Sequence, residues 1–359
     1  MKNVAYLLSL HLVNGIGPIR LRKIVDYFQD PKLAWDAKDA ELFSIGIPKS
    51  VIEKLKEAKV NFDPESFLEK INKSNIKFLT FYDDSYPKSL KEIYDPPMVI
   101  YYRGNLQESD FRAIGVVGTR KVTGYGRLVT EEFTKGLVEA GFTIVSGLAK
   151  GVDTIAHQVA VAKKGRTLAI LGGGIENIFP YENTSLAKQI ASGFGAVISE
   201  FPPNAPHLPG NFPARNRIIS GLSLGVLVTE AAQDSGSLIT AHLALEQGKE
   251  VFAVPGPITS NLSRGPADLI KQGAALVFNV DDLLTTLGVE RKVVRDVSNI
   301  QLSESEKIIL EYLKNQTRHI DEISRDLNKP SAEISAGLIK MEIFGLVKNL
   351  GGGNYTKLI

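Results

Sequence analysis

Apolar and polar positions follow three different patterns along this chain. Residues 1–77 have the apolar spacing of helices, interrupted by two similar glycine turns, NGIGPIRLRKIV at 14–25 and SIGIPKSVIEKL at 44–55. Short β-branched runs then alternate with stretches of helix length. Strands that are almost continuously apolar, each followed by a helix, predict a parallel sheet with helices on both faces. The final residues predict three helices and a short hairpin, which is the order of a winged helix.

The patterns divide the chain into four segments. We predict an N-terminal helical domain at 1–77, an α/β domain at 78–288, a charged linker at 289–301 and a winged-helix domain at 302–359. Ser303 and Glu306 have the spacing of a capping box, which predicts the start of the first helix of that last domain. The predicted strands of the α/β domain are AIGVVG (113–118), FTIVSG (142–147), RTLAILGGG (166–174), AVISE (196–200), LGVLVTEA (224–231) and EVFAVPG (250–256).

Composition narrows the function classes. The 359 residues carry 42 Lys and Arg against 40 Asp and Glu, so no overall field attracts nucleic acid, and an acidic partner needs a local patch. The sequence has no cysteine, which excludes disulfides and thiolate metal sites, and no metal site is predicted. The beginning, MKNVAYLLSLHLVNGIG, has a basic residue before an apolar stretch but no small-residue cleavage site, so we expect a cytoplasmic protein.

The first glycine turn of the α/β domain, GVVGTRKVTGYG at 115–126, does not fit a dinucleotide site. Its glycines lack the Gly-x-Gly-x-x-Gly spacing, and the second strand ends in Ser146-Gly147 without a carboxylate for a ribose. The turn does combine backbone amides near a helix start with a hydroxyl and two cations, a set that suits a phosphate. These residues are Gly118, Thr119, Arg120 and Lys121. Alternatively, Arg120 pairs with Glu200 or Glu230 at a neighbouring strand end.

Other strand ends carry similar groups, and the strand ends of a parallel sheet share one crevice. The candidates are Lys150 in a second glycine turn, Ser235, Gly236 and Ser237 at a helix start, and Asn211, Phe212, Arg215, Asn216 and Arg217 in the string NFPARNR. Residues two apart on a helix point about 200° apart, so we expect only one of the two arginines to reach the crevice, and we favour Arg215. Phe212 is either a platform for an unstacked base or a hydrophobic staple over the helix end.

The two flanking domains each leave alternatives open. The glycine turns at 14–25 and 44–55 resemble helix-hairpin-helix units, which hold DNA phosphates, but such turns also build any small helical bundle. The third helix of the winged-helix domain carries Glu333 and Glu342 against Lys340 alone. Since these charges are poor for entering a major groove, we interpret the domain as a protein-contact or regulatory module.

Several strings together resemble the DNA-processing protein A family (DprA, also called Smf). They include VGTRKVTGYG, IVSGLAKGVDTIAH, AILGGGIENIFPYEN, NFPARNRIISGLS and SGSLITAHLALEQGKEVFAVPG, in the family's order and spacing from about Tyr86 to Leu287. Two positions depart from the family pattern. Tyr181 stands where many relatives have a basic residue, and Gly173 stands where cysteine is common.

The resemblance implies an extended Rossmann-like domain with a SAM-like helical domain before it. It implies a protein that binds single-stranded DNA without sequence preference, protects incoming strands during natural transformation and passes them to the recombinase RecA. It also implies a homodimer formed through the Rossmann-like domain, no catalytic activity, no cofactor and no membrane contact. The family's turn falls on Gly118, Thr119 and Arg120, and its Asn-Phe-Pro string falls on 211–217.

Two other functions compete with that expectation. Nucleotide hydrolases of the lysine-decarboxylase-like group share a related core, and Glu200 and Glu230 are strand-end carboxylates that could act as acid or base. Their Pro-Gly-Gly-x-Gly-Thr turn is missing, however, and the simpler interpretation of both glutamates is that they pair with Arg215, Arg217 or Arg120. A transcription factor acting through the winged helix is the third alternative, which the acidic third helix disfavours.

Overall fold

The computed structural model describes residues 2–289, 302–313, 316–344 and 346–357. The chain divides into two compact units, Met1–Lys292 and Val293–Ile359. Nearly all of the predicted linker, 290–301, lies outside the described residues, and the predicted domain limits stay predictions.

The first unit contains a nine-stranded sheet and the helices that cover it. Its strands are β1 (Lys77–Thr80), β2 (Val99–Gly104), β3 (Ala113–Val117), β4 (Thr143–Ser146), β5 (Thr167–Leu171), β6 (Gly195–Ser199), β7 (Gly225–Val228), β8 (Glu250–Ala253) and β9 (Ala275–Leu276). Its α-helices are α1 (Val4–Leu12), α2 (Pro18–Phe28), α3 (Pro31–Asp36), α4 (Asp39–Ser44), α5 (Lys49–Asn61), α6 (Pro64–Lys73), α7 (Lys88–Lys91), α8 (Gly124–Glu139), α9 (Val152–Ala162), α10 (Thr184–Gln189), α11 (Asn211–Leu222), α12 (Gly236–Glu246), α13 (Arg264–Lys271) and α14 (Val280–Thr286).

The sheet confirms the predicted α/β fold. The strand order is β1-β2-β6-β5-β4-β3-β7-β8-β9. The seven strands β6, β5, β4, β3, β7, β8 and β9 are each parallel to their neighbours in this set. All six predicted strands are present, and every residue of the central strand β3 is buried, as expected for a strand covered on both faces. The chain leaves β3 toward β4 and later returns to its other side as β7, so a topological switch point lies between β3 and β7.

The hairpin β1–β2 extends this sheet in the antiparallel sense and joins it to the N-terminal helices. Leu7, Leu21 and Leu55 of those helices share one apolar core with Tyr101 of β2 and Val197 of β6. The two predicted glycine turns are confirmed as connections between helices, and Gly15 and Gly46 adopt positive φ angles of 101° and 78°. The helical segment therefore packs on the sheet, and direct contact of its turns with DNA stays a prediction.

The second unit is a winged helix, as predicted. It comprises α15 (Glu304–Leu313), β10 (Arg318–His319), α16 (Ile320–Asp326), α17 (Ser331–Ile343), β11 (Val347–Gly351) and β12 (Asn354–Lys357). The predicted capping box is confirmed, because Ser303 N donates to Glu306 Oε2 at 2.7 Å and Glu306 N donates to Ser303 Oγ at 3.2 Å. Lys340 of α17 pairs with Glu306 at 2.8 Å, so the cation of this helix is already neutralised.

The part of the chain that the structure describes contains no helix long and apolar enough to cross a membrane.

Acid pH is expected to destabilise the first unit through His157 on α9. This imidazole is fully buried, with Nδ1 2.7 Å from Thr167 Oγ1, and burial lowers its pKa from 6.5 to about 3. Below pH 6.5 the unfolded chain therefore binds a proton that the folded state does not, and stability falls as the pH falls toward 3. The expected loss is about 1.4 kcal/mol per pH unit, measured by urea unfolding between about pH 7.5 and 4.5. His157→Gln should remove this share of the dependence and leave the share of His11, whose pKa burial also lowers, to about 4. The exposed control His242→Gln should keep the full dependence; equal slopes in both variants would contradict the assignment.

Candidate functional site

A cleft of about 680 Å³ opens at the switch point, beyond the carboxyl ends of β3 and β7. Its walls are the turn after β3, the turn after β4, the first half of α11 and the start of α12. Open α/β sheets bind their ligands at this location because the strand-end loops separate there. The fold therefore brings the predicted strand-end groups together at one surface.

Ten of the thirteen predicted site residues line this cleft. They are Gly118, Thr119, Arg120, Lys121, Phe212, Arg215, Asn216, Ser235, Gly236 and Ser237. The other three, Lys150, Asn211 and Arg217, are not among the residues that line it.

The turn after β3 is shaped by close packing at Gly118. A Cβ atom there would lie 2.6 Å from Val152 Cγ2 and 2.7 Å from the carbonyl oxygen of Glu230. The next amide, Thr119 N, donates to the same carbonyl at 2.7 Å, which anchors the turn to the end of β7. This anchoring turns Arg120 and Lys121 outward, and both side chains are exposed.

Arg120 is held by an aromatic ring rather than by a carboxylate. Its Cζ atom lies 5.7 Å from the centroid of the Phe212 ring. Among the described residues no carboxylate forms an ion pair with Arg120, so the alternative in which it pairs with Glu200 or Glu230 is wrong. A guanidinium without an acidic partner is available to a phosphate.

Glu230 holds the start of α8. It is 2% exposed, and its carboxylate accepts hydrogen bonds from Thr123 N at 3.0 Å and Thr123 Oγ1 at 2.6 Å. A side chain at Gly126 in the first turn of α8 would collide with this carboxylate. The expected pairing of Glu230 with an arginine is therefore wrong. In the hydrolase alternative Glu230 would act as an acid or base, but its carboxylate is occupied by the two hydrogen bonds to Thr123.

Arg215 lies beneath the cleft and is 5% exposed. Its Nη1 donates to the carbonyl oxygen of Gly147 at 2.5 Å and also to that of Ile170, and its Nε donates to Asn216 Oδ1 at 3.1 Å. Burial lowers the pKa of Arg215 to about 10, opposed by Asp153, so the guanidinium stays charged at neutral pH. It ties the ends of β4 and β5 together and places a fixed positive charge under the cleft.

Arg217 points away from Arg215, as the helical spacing predicts. Its guanidinium is buried between Asp95, with Nε 2.9 Å from Oδ2, and Glu200, with Nη2 2.5 Å from Oε1. The expected pairing of Glu200 with an arginine is confirmed. Lys150 is exposed and pairs with Glu182 at 2.5 Å.

Asn211 donates through Nδ2 to the carbonyl oxygen of Pro206 at 3.3 Å, within the loop before α11.

The start of α12 forms the opposite wall. Ser235 is the N-cap and accepts from Ser237 N at 3.4 Å, while the two hydroxyl oxygens lie 2.8 Å apart. Asn216 donates to the carbonyl oxygen of Gly236 at 3.2 Å, which links this wall to α11. The positive end of the helix dipole therefore faces the cleft. Two acidic residues also line the cleft and are unfavourable for an anion, Asp234 and the buried Asp153, which interacts with Arg215.

Phe179, which the sequence did not single out, lies beside Phe212, and Tyr181 follows Phe179 in the same loop. The ring centroid of Phe179 is 6.2 Å from that of Phe212 and 5.3 Å from that of His207. Phe179 is 51% exposed, and Tyr181 two residues later is 82% exposed. An aromatic beside a proline in the string IFPYEN was the available signal, but only the folded chain brings it to Phe212.

Within the described ranges, no group of three or more histidine, aspartate or glutamate side chains is placed to hold a metal ion.

Comparisons with known proteins identify similar chains. A family model described as DNA recombination-mediator protein A matches residues 77–288, and one described as the DprA winged helix domain matches 295–353. Protein Smf from Synechocystis sp. is 36% identical, with 98% of each chain covered. The X-ray structure of DNA processing protein A (DprA) from Streptococcus pneumoniae is 36% identical with a TM-score of 0.70, covering 79% of this chain and 98% of that one. The structure reported for the single-stranded DNA binding mode of DNA processing protein A from Helicobacter pylori is 31% identical with a TM-score of 0.53, covering 59% and 95%.

Proposed function

This chain belongs to the DNA recombination-mediator protein A family of DNA-processing proteins, and on that premise we propose that it binds single-stranded DNA in the cleft between β3 and β7. The observation that carries the proposal is Arg120, which has no acidic partner among the described residues and lies over the ring of Phe212 at the cleft. A cation contacts the phosphate backbone, and a neighbouring aromatic ring stacks an unpaired base.

The surroundings of Arg120 support an extended polyanion as the ligand. Lys121 adds a second exposed cation, the start of α12 presents amide groups, and Arg215 contributes a fixed charge from below. The relative from Helicobacter pylori is reported to bind single-stranded DNA, and it is 31% identical to this chain. Gly118, Thr119, Asn216, Ser235, Gly236 and Ser237 complete the proposed surface. In the proposal Lys150, Asn211 and Arg217 position loops or partners and do not contact DNA directly.

The proposed cellular role is to protect incoming single strands and to pass them to the recombinase RecA in the cytoplasm during natural transformation. The family description as a recombination mediator supports this role. We further propose that two copies associate through the Rossmann-like domain. The edge strand β9 supports this association, since Leu276 at its end and Phe278 two residues later are exposed at 41% and 73%.

Arg120→Glu is expected to weaken binding of fluorescently labelled oligo-dT by about tenfold or more, because the change removes a phosphate contact and adds repulsion. Fluorescence anisotropy titrations measure the dissociation constant. The matched control is Lys163→Glu, which places an acidic side chain at an exposed lysine that follows α9 and precedes β5. Because α9 begins beside the cleft, the lysine at its far end lies near the opposite ends of the strands.

The two variants separate a local contact from net charge. An equal loss of affinity in both variants would show that the loss comes from the change in net charge and not from a lost contact. Unchanged affinity in Arg120→Glu would exclude the cleft as the DNA site. In a salt series the slope of log affinity against log salt concentration should become shallower for Arg120→Glu and stay unchanged for Lys163→Glu.

Deleting residues 289–359 is expected to leave the affinity for oligo-dT unchanged. The reason is that the cations of the proposed cleft belong to the first unit, while the single lysine of α17 pairs with Glu306. Circular dichroism and gel filtration check that the shortened chain is folded before the anisotropy titration. If a folded truncation lost its affinity, the winged helix would be the DNA-binding element.

A further inference from the structure

We propose that Phe179 is a second base-stacking position, next to Phe212, so that consecutive bases of one strand occupy the two rings in turn. This inference rests on the proposed function, since it extends the strand path from the cleft across the loop after β5. The observation behind it is a half-exposed aromatic ring whose centroid lies 6.2 Å from that of Phe212. Phe179 belongs to none of the apolar cores formed by the described residues.

The spacing of the two rings fits an unstacked strand. Bases stacked within one strand rise by about 3.4 Å per nucleotide, so rings with centroids 6.2 Å apart receive neighbouring bases only after those bases have separated. Single-stranded DNA makes this separation at low cost, whereas a base-paired duplex keeps its bases stacked. The ring pair therefore selects unpaired strands.

Phe179 is held in place by the ring of His207, which is itself positioned by a hydrogen bond and by the space left at Gly173. His207 lies 5.3 Å from Phe179 between ring centroids, and its Nε2 is hydrogen bonded to the carbonyl oxygen of Asn177. A side chain at Gly173 would collide with the His207 ring. The glycine at 173 thus makes room for the imidazole that supports Phe179.

The charges around Phe179 permit a phosphodiester. The same loop contains two glutamates, but Glu176 pairs with Arg103 at 3.7 Å and Glu182 pairs with Lys150 at 2.5 Å. Neutralising Glu182 gives Lys150 a role outside the cleft. A strand that leaves Arg120 and crosses Phe212 therefore meets no unpaired carboxylate of this loop on its way to Phe179.

Phe179→Ala is expected to weaken binding of oligo-dT by about fivefold or more and to leave binding of an abasic deoxyribose-phosphate oligomer of equal length unchanged. Phe111→Ala, which removes an exposed ring just before the amino end of β3, is the control and should bind both oligomers like the wild type. A second measurement uses Phe179→Trp in a Trp35→Phe background, since Trp35 is the single tryptophan of the sequence. Stacking of a base on the introduced indole should quench its fluorescence during an oligo-dT titration.

The outcomes separate this inference from the proposed function. If Phe179→Ala binds oligo-dT like the wild type and the fluorescence of the introduced indole stays constant, while Arg120→Glu still loses affinity, the second stacking position is excluded and the cleft stands. An equal loss on both oligomers would show that Phe179 supports the loop without stacking a base. If Arg120→Glu also keeps full affinity, the proposed DNA site itself fails.

Discussion

Replacing Arg217 with methionine is expected to lower the free energy of unfolding of the first unit by about 3–5 kcal/mol. The side chains of Arg217 and Glu200 are each 7% exposed, and they lie 2.5 Å apart between Nη2 and Oε1. Burial raises the pKa of Glu200, and the guanidinium opposes that rise. Methionine keeps most of the volume of the arginine stem but leaves the carboxylate buried without its cation, which is the costly half of a broken pair.

Urea unfolding followed by circular dichroism measures the loss. The matched control is Arg127→Met, because Arg127 pairs with Glu131 at 3.5 Å with both side chains about half exposed; it should cost less than about 1 kcal/mol. The double variant Arg217→Met/Glu200→Gln should recover part of the loss, since no buried charge of this pair remains unpaired. A loss in Arg217→Met no larger than in the control would show that the buried pair contributes little.

Arg215 and Arg217 show which contacts the sequence could predict and which it could not. Helical spacing predicted that Arg215 and Arg217 point to different surroundings, and the sheet places only Arg215 at the cleft. The spacing could not predict that Arg215 would itself be buried against the carbonyl oxygens of Gly147 and Ile170. Those acceptors come from strand ends that are 68 and 45 residues away in the chain, and only the register of the sheet brings them together.

Local signals were the reliable ones. The six apolar runs, the capping box of Ser303 and the two glycine turns depend on neighbouring residues, and the structure confirms them. The partners of Glu230 and the neighbours of Phe212 depend on which loops meet beyond the sheet. That information is not contained in spacing along the chain, so the sequence named the cations and missed Phe179.

Phe212→Ala is expected to weaken binding of oligo-dT by about 5- to 140-fold, because base stacking on an aromatic ring contributes roughly 1–3 kcal/mol. The ring is partly buried, and a Cβ atom at Gly172 would lie only 2.8 Å from its Cδ1, so Phe212 also fills space at the start of α11. Alanine removes both contributions. Anisotropy titrations therefore need a second variant that separates stacking from packing.

Phe212→Leu makes that separation, since leucine still fills the space of a hydrophobic staple but offers no aromatic face to a base. If stacking is the role, Phe212→Leu should keep the stability of the wild type in urea and lose most of the affinity. If Phe212 is only a staple, the leucine variant should bind like the wild type. The guanidinium of Arg120 lies 5.7 Å from this ring, so the losses in Arg120→Ala and Phe212→Leu should not add in the double variant. Strict additivity would mean that the two side chains contact the strand independently.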